Sequence, residues 1–113
     1  MGDVTSYAIR IKEILLRVAD QLRRIPKPGI ETLLIEDQSQ SIILLARVGW
    51  YAGERVDNIV IFARIREGKV WIEEDNTDLT FADELIRSGV PEKDIVLAFH
   101  HPDRRHRAEF AVA

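Results

Sequence analysis

Residues 41–74 read SIILLARVGW YAGERVDNIV IFARIREGKV WIEE, and this stretch decides the fold. Its apolar side chains alternate at the two-residue period of a strand. Over 41–50 one face carries Ile42, Leu44, Ala46, Val48 and Trp50, and the other carries Ile43 and Leu45 with Ser41 and Arg47. A second run, over 56–66, places Ile59, Ile61, Ala63 and Ile65 on one face and Val60 and Phe62 on the other. Glu67-Gly68 separates it from a third run over 69–74, and glycine supplies the positive φ that a tight hairpin needs. Working back towards the N-terminus, Asp37-Gln-Ser-Gln40 is polar turn material behind a further run over 30–37. The spacing predicts an antiparallel meander of about four strands, two of them apolar on both faces.

Before the meander, Val4, Tyr7, Ala8, Ile11, Ile14, Leu15, Val18, Ala19, Leu22 and Ile25 recur at steps of three and four, which is the stripe of an amphipathic helix. Asp3 is placed to cap it, and Ile25-Pro26-Lys27-Pro28-Gly29 ends it, because a residue before proline is driven out of the helical region. A helix over about 3–24 is expected. After the meander, Phe81, Ala82, Leu85 and Ile86 form a short helical stripe, with Thr80 and Asp83 spaced as a capping box. Gly89 suits a left-handed cap and Pro91 a stop; residues 91–94 can add a helical turn, and 95–99 a strand or extended segment. The fold class is therefore α+β. A long N-terminal helix packs on an antiparallel meander sheet of about four strands, with one or two short C-terminal helices and an extended tail.

At 113 residues the chain is sized for one domain, residues 1–113, with no repeat and no low-complexity segment. It has no cysteine, which removes disulfides, thiolate metal sites and cysteine nucleophiles. No apolar run approaches a membrane span, and the start lacks a signal-peptide core, so a cytoplasmic protein without membrane attachment is expected. The net charge of −3 denies the chain the basic balance of a dedicated nucleic-acid binder. The charge is bipolar, however: residues 1–29 hold six basic side chains against three acidic, and residues 67–94 hold nine acidic against three basic.

No phosphate-cradling glycine loop, nucleotide fingerprint or nucleophile elbow is present. His100, His101 and His106 crowd together, but adjacent histidines in an extended segment point apart and chelate poorly, so they are read as solvated. Glu73 and Asp75 would share a strand face where two oxygen donors could converge, yet no glycine-punctuated calcium loop accompanies them. No catalytic, cofactor-binding or metal-ligating residue is assigned. Candidate partner or DNA contacts are Arg23 and Arg24 at the helix end, and Arg104, Arg105, Arg107, Glu109 and Phe110 in the tail. Gly49, Trp50, Gly68, Trp71, Gly89 and Pro91 are read as structural anchors.

Five strings carry a family resemblance: Leu45-Ala-Arg-Val-Gly-Trp50, Gly68-Lys-Val-Trp-Ile72 with Asp75 and Thr77, Glu84-Leu-Ile-Arg-Ser-Gly-Val-Pro91, Asp94-Ile-Val-Leu-Ala-Phe99 and Glu109-Phe-Ala-Val-Ala113. Together they resemble the XisI-like family, the fdxN element excision controlling factors, nearly end to end. The sequence departs from the family pattern at Tyr51, Asn76 and Arg107-Ala108. The resemblance implies a small cytoplasmic regulatory protein, not an enzyme and without cofactor. It would control site-specific excision of a DNA element by acting through a companion controlling factor, and the sequence leaves open whether its own contact with DNA is direct or indirect. The alternative is a direct DNA-binding accessory using the basic helix and tail. Because one helix covers about one sheet face, a homodimer is expected, through the sheet surface or through the tail over 110–113.

Overall fold

The computed structural model describes residues 4–101 and 110–111. The N-terminal stripe forms helix α1 (Val4–Arg23). Tyr7, Ile11, Ile14, Leu15, Val18 and Ala19 on that stripe are buried, whereas Ile9 and Leu16 on the outer side are exposed. The expected Asp3 cap lies outside the described residues. Four strands follow, β1 (Ile30–Asp37), β2 (Ile42–Tyr51), β3 (Glu54–Arg66) and β4 (Lys69–Asp75), paired antiparallel in sequence order. Helix α2 (Phe81–Ser88) leads to a single 3-10 turn over Glu92–Asp94, then to strand β5 (Ile95–Leu97), which lies parallel to β4. The sheet thus has five strands instead of about four. The fifth comes from the 95–99 segment expected as strand or extended, and it joins the sheet by pairing Val70 with Ile95 and Ile72 with Leu97.

Helix α1 lies across one face of the sheet, where Leu34, Ile43, Leu45, Ile61, Ala63, Val70, Ile72 and Ile95 meet it. The expected division of β3 into two clean faces does not hold. Leu45 pairs with Ile61 and Ala46 with Ile59, so Val60 is the extra residue of a β-bulge and joins Ile61 in the core, 6% exposed. Ile59, expected beside Ile61, falls instead on the far face with Ala46. A second bulge between Phe62 and Ala63 leaves Glu73 as the extra residue of β4.

The far face carries Leu33, Ile35, Leu44, Ala46, Val48, Ile59 and Phe62, each only partly buried or exposed, and nothing described covers it. Trp71 and its β5 partner Val96, also on that side, are exceptions, and both are buried. The Trp71 indole N–H donates to the Arg66 carbonyl at 3.1 Å, and the Arg66 guanidinium lies 4.9 Å from its ring centre. Phe110 packs against the core and Ala111 bridges to Val96, so the tail at these two positions is engaged within its own chain.

Three turns show why the anchoring glycines are where they are. At Gly49 (φ +144°) a Cβ would stand 1.8 Å from the Gly29 carbonyl oxygen, because β2 passes directly over the entry to β1 and Trp50 N–H donates to that oxygen at 3.0 Å. At the β3–β4 hairpin both Glu67 and Gly68 take positive φ, the pair of left-handed residues that matches the twist of a two-residue turn. Gly89 closes α2 at φ +110°, its N–H bonded back to the helix, and Pro91 then opens the 3-10 turn. The expected Thr80–Asp83 capping box does not form. Thr80 makes no side-chain cap, and the first amide of α2, that of Phe81, donates to Asp75 Oδ2 at 2.9 Å.

Candidate functional site

The acidic run that could have bound a cation is tied into the fold. Asp75 Oδ1 accepts from Thr77 N at 3.0 Å and from Thr77 Oγ1 at 2.6 Å, while Oδ2 holds the α2 N-terminus. Glu73 takes Arg64 Nε at 2.7 Å. Because of the bulge at Glu73, the two carboxylates serve different partners and do not converge. Glu84 pairs with Arg17 and Arg87, and Asp94 accepts from the Tyr7 hydroxyl. Among the described residues no group of three or more His, Asp or Glu side chains could hold a metal ion. His100 lies edge-on against Phe99, ring centres 4.5 Å apart.

One group of basic residues, Arg23, Arg24, Lys27 and Arg55, lies at one end of the sheet. There α1 stops, the chain crosses Ile25-Pro26-Lys27-Pro28 into β1, and the β2–β3 hairpin turns. Arg23 Nη2 donates to the Thr32 carbonyl at 2.9 Å, its other nitrogen lies 3.9 Å from Asp20, and Arg24 is exposed beside it. Lys27 Nζ stands 5.4 Å from the centre of the Tyr51 ring, and the Arg55 guanidinium 5.8 Å from that of Trp50. Trp50 is 60% exposed and Ile25 57%. Cations laid over exposed aromatic rings make a surface that is sticky both to apolar groups and to anions. Arg23 and Arg24 were named from the sequence as candidate contacts. Tyr51 and Arg55 were not, because it is the hairpin that brings them beside the end of α1.

Trp50 therefore serves as an exposed surface group, whereas Trp71 anchors the sheet from within. Arg104, Arg105, Arg107 and Glu109 lie outside the described residues. Asn76, at a position where the sequence departs from the family pattern, pins the β4–α2 turn to the bulge: its amide N–H donates to the Val60 carbonyl at 2.8 Å and its side chain to the Ile59 carbonyl at 2.8 Å. Asp37 turns the β1–β2 hairpin. Hydrogen bonds from the Ser39 side chain and then the Ser39 amide hold its carboxyl below the ordinary aspartate value. No helix among the described residues is long and apolar enough to cross a membrane.

Residues 1–112 match the family model described as XisI protein. The fold is similar to that of a XisI-like protein from Anabaena variabilis ATCC 29413, with a TM-score of 0.91 and 31% identity, covering 98% of this chain and 100% of that one. It is also similar to the fdxN element excision controlling factor XisI from Anabaena variabilis ATCC 29413, with a TM-score of 0.84 and 38% identity, covering 97% of this chain and 98% of that one. No curated protein matches. A family match running almost the whole length, on a sheet whose glycine crossing and bulges are accounted for residue by residue, leads to one conclusion: the chain belongs to the XisI family.

Proposed function

We propose that this chain is a non-enzymatic controlling factor for site-specific excision of a DNA element, acting by binding a companion protein factor. The observation that carries this reading is the match to the XisI family together with a structural neighbour named as an excision controlling factor. The disposition of side chains supports it: the carboxylates best placed for chemistry hold the β4–α2 turn, and the exposed groups are those of a binding surface.

The working unit is a homodimer formed through the far face of the sheet. Strands β1–β4, at ~4.8 Å spacing and ~3.3 Å per residue, present about 400 Å² of flat, largely apolar surface. A contiguous apolar patch of this size is as large as most monomers expose, and such patches are often functional. A second copy supplies the same apolar face and packs on it as one sheet on another. The helix-side part of the cation and aromatic corner, Lys27 with Tyr51, lies outside that face and stays open for the companion.

A second reading, direct DNA binding by the basic helix and tail, is favoured by Arg23, Arg24, Lys27 and Arg55 sharing one corner. The two readings separate in one titration of purified protein with duplex DNA across salt concentrations. A protein-binding factor shows weak association that lacks sequence preference and disappears by physiological salt, whereas a DNA-binding accessory retains specific binding there.

A further inference from the structure

Three clefts of about 350, 320 and 290 Å³ open at the end of the sheet where α1 stops, and Arg47 lines all three. Arg47 belongs to the helix-side face of β2, paired with Thr32 on one side and Asn58 on the other. Its side chain is partly buried, and its Nε is fully buried with no hydrogen-bond partner. Asp78 lines the first cleft and Glu54 the third, yet Arg47 makes no ion pair with either among the described residues. Nε alone of the guanidinium is a buried donor without a partner, and an unmet buried donor is costly, whereas a leucine at the same place would extend the Ile43 and Leu45 stripe without that cost. No hydrogen bond or ion pair among the described residues uses this guanidinium, which leaves it available to an external group.

We infer that Arg47 anchors a groove that docks an extended segment of a protein partner, pairing with one carboxylate side chain of that segment. A planar guanidinium matches a carboxylate in fork geometry, and the pair is strengthened where water is excluded. Leu22, Ile25, Val60 and Leu79 wall the cleft with apolar surface for the residues flanking the carboxylate. Asn58 supplies a side-chain amide that can meet the segment's backbone. Because the three clefts meet at one residue, the site is elongated and open, which suits a chain and not an enclosed small molecule. A DNA duplex is disfavoured: its phosphates come in rows that a line of exposed cations reads, whereas Arg47 is set in a cleft walled by apolar side chains. The inference rests on the reading that the chain works by binding a protein, and it names the chemical group which that protein presents.

The test is selection of random heptapeptides against the wild-type protein and against Arg47→Met, followed by NMR of the Arg47 Nε–Hε signal. Selected peptides carry Asp or Glu at one fixed position between apolar residues, and their affinity falls at least tenfold on Arg47→Met. The Arg47 signal moves with the selected peptide and stays in place with its Gln or Asn counterpart. The methionine variant melts no lower than wild type. Selection without an acidic position, peptides that bind the variant equally, or an Arg47 signal that moves with a duplex oligonucleotide but not with peptide would each overturn the inference. A variant that melts well below wild type would do the same, by giving Arg47 a structural role. Capture of the companion by wild type and Arg47→Met alike would remove the groove and leave the protein-binding reading intact. An acidic peptide selected through Arg47 when no companion is captured would do the opposite.

Discussion

Gly49→Ala tests the close crossing of β2 over the start of β1. The added Cβ would lie 1.8 Å from the Gly29 carbonyl oxygen, 2.8 Å from its carbon and 3.1 Å from Ile30 Cα. All three are backbone atoms, so no side chain can rotate away, and the strands must separate. The backbone also sits at φ +144°, a region where a residue with a Cβ pays about 1–3 kcal/mol. Separation breaks the Trp50 N–H to Gly29 carbonyl bond, worth about 1 kcal/mol. The total is about 3 kcal/mol, which for a domain of this size lowers Tm by roughly 12 °C. Gly53→Ala is the control. It has positive φ (+80°) but nothing within 4 Å of the added Cβ, so it carries only the conformational cost, about 1 kcal/mol and roughly 4 °C. Thermal and urea melts of both variants measure the difference. Equal shifts, or a Gly49→Ala protein within about 1 kcal/mol of wild type, would refute the crossing as the reason for this glycine.

Asp75→Ala removes the acceptor of three hydrogen bonds that hold the β4–α2 turn and should cost about 2–3 kcal/mol in urea unfolding, whereas Thr80→Ala, which loses no cap bond, should cost under about 0.5 kcal/mol. Phe62→Glu, in the centre of the far face, should leave the far-UV circular dichroism unchanged and shift the light-scattering mass from dimer to monomer; an unchanged dimer would move the interface elsewhere. The Asp37 carboxyl is held below its ordinary value of 3.8 by Ser39, so its contribution to stability is present above that pH and is lost as pH falls through the lowered value. Asp37→Asn should therefore flatten the acid limb of the stability curve below about pH 4 and leave its slope above pH 5 unchanged.

Periodicity was enough to place α1 and the four meander strands, because their stripes are long and their turns carry glycine, proline and short polar residues. It failed at Val60 and Glu73. A bulge inserts one residue without a chemical signature, so every inference about faces beyond it reverses, including the idea that Glu73 and Asp75 act together. It also failed at the α2 cap, since the group that satisfies Phe81 N–H comes from six residues back, on the preceding strand, instead of from the local Thr80. Strand β5 was legible as an extended segment over 95–99, but its parallel place beside β4 is set by long-range pairing, which no local pattern announces. The surface was legible only as charge. Arg23 and Arg24 could be picked from the helix end, but their neighbours Tyr51 and Arg55 arrive from a hairpin tip far away in sequence. Arg47 looked like one more residue of an apolar strand face, because whether a buried guanidinium has a partner is decided by tertiary structure.

The central claim, that this XisI-family chain works by holding a protein, is tested most directly by capture with tagged chain from extracts of its own cell, with and without nuclease. The account predicts a companion protein that stays bound after the nucleic acid has been digested. Capture that vanishes with the nucleic acid would contradict it and make DNA the direct ligand of the basic corner.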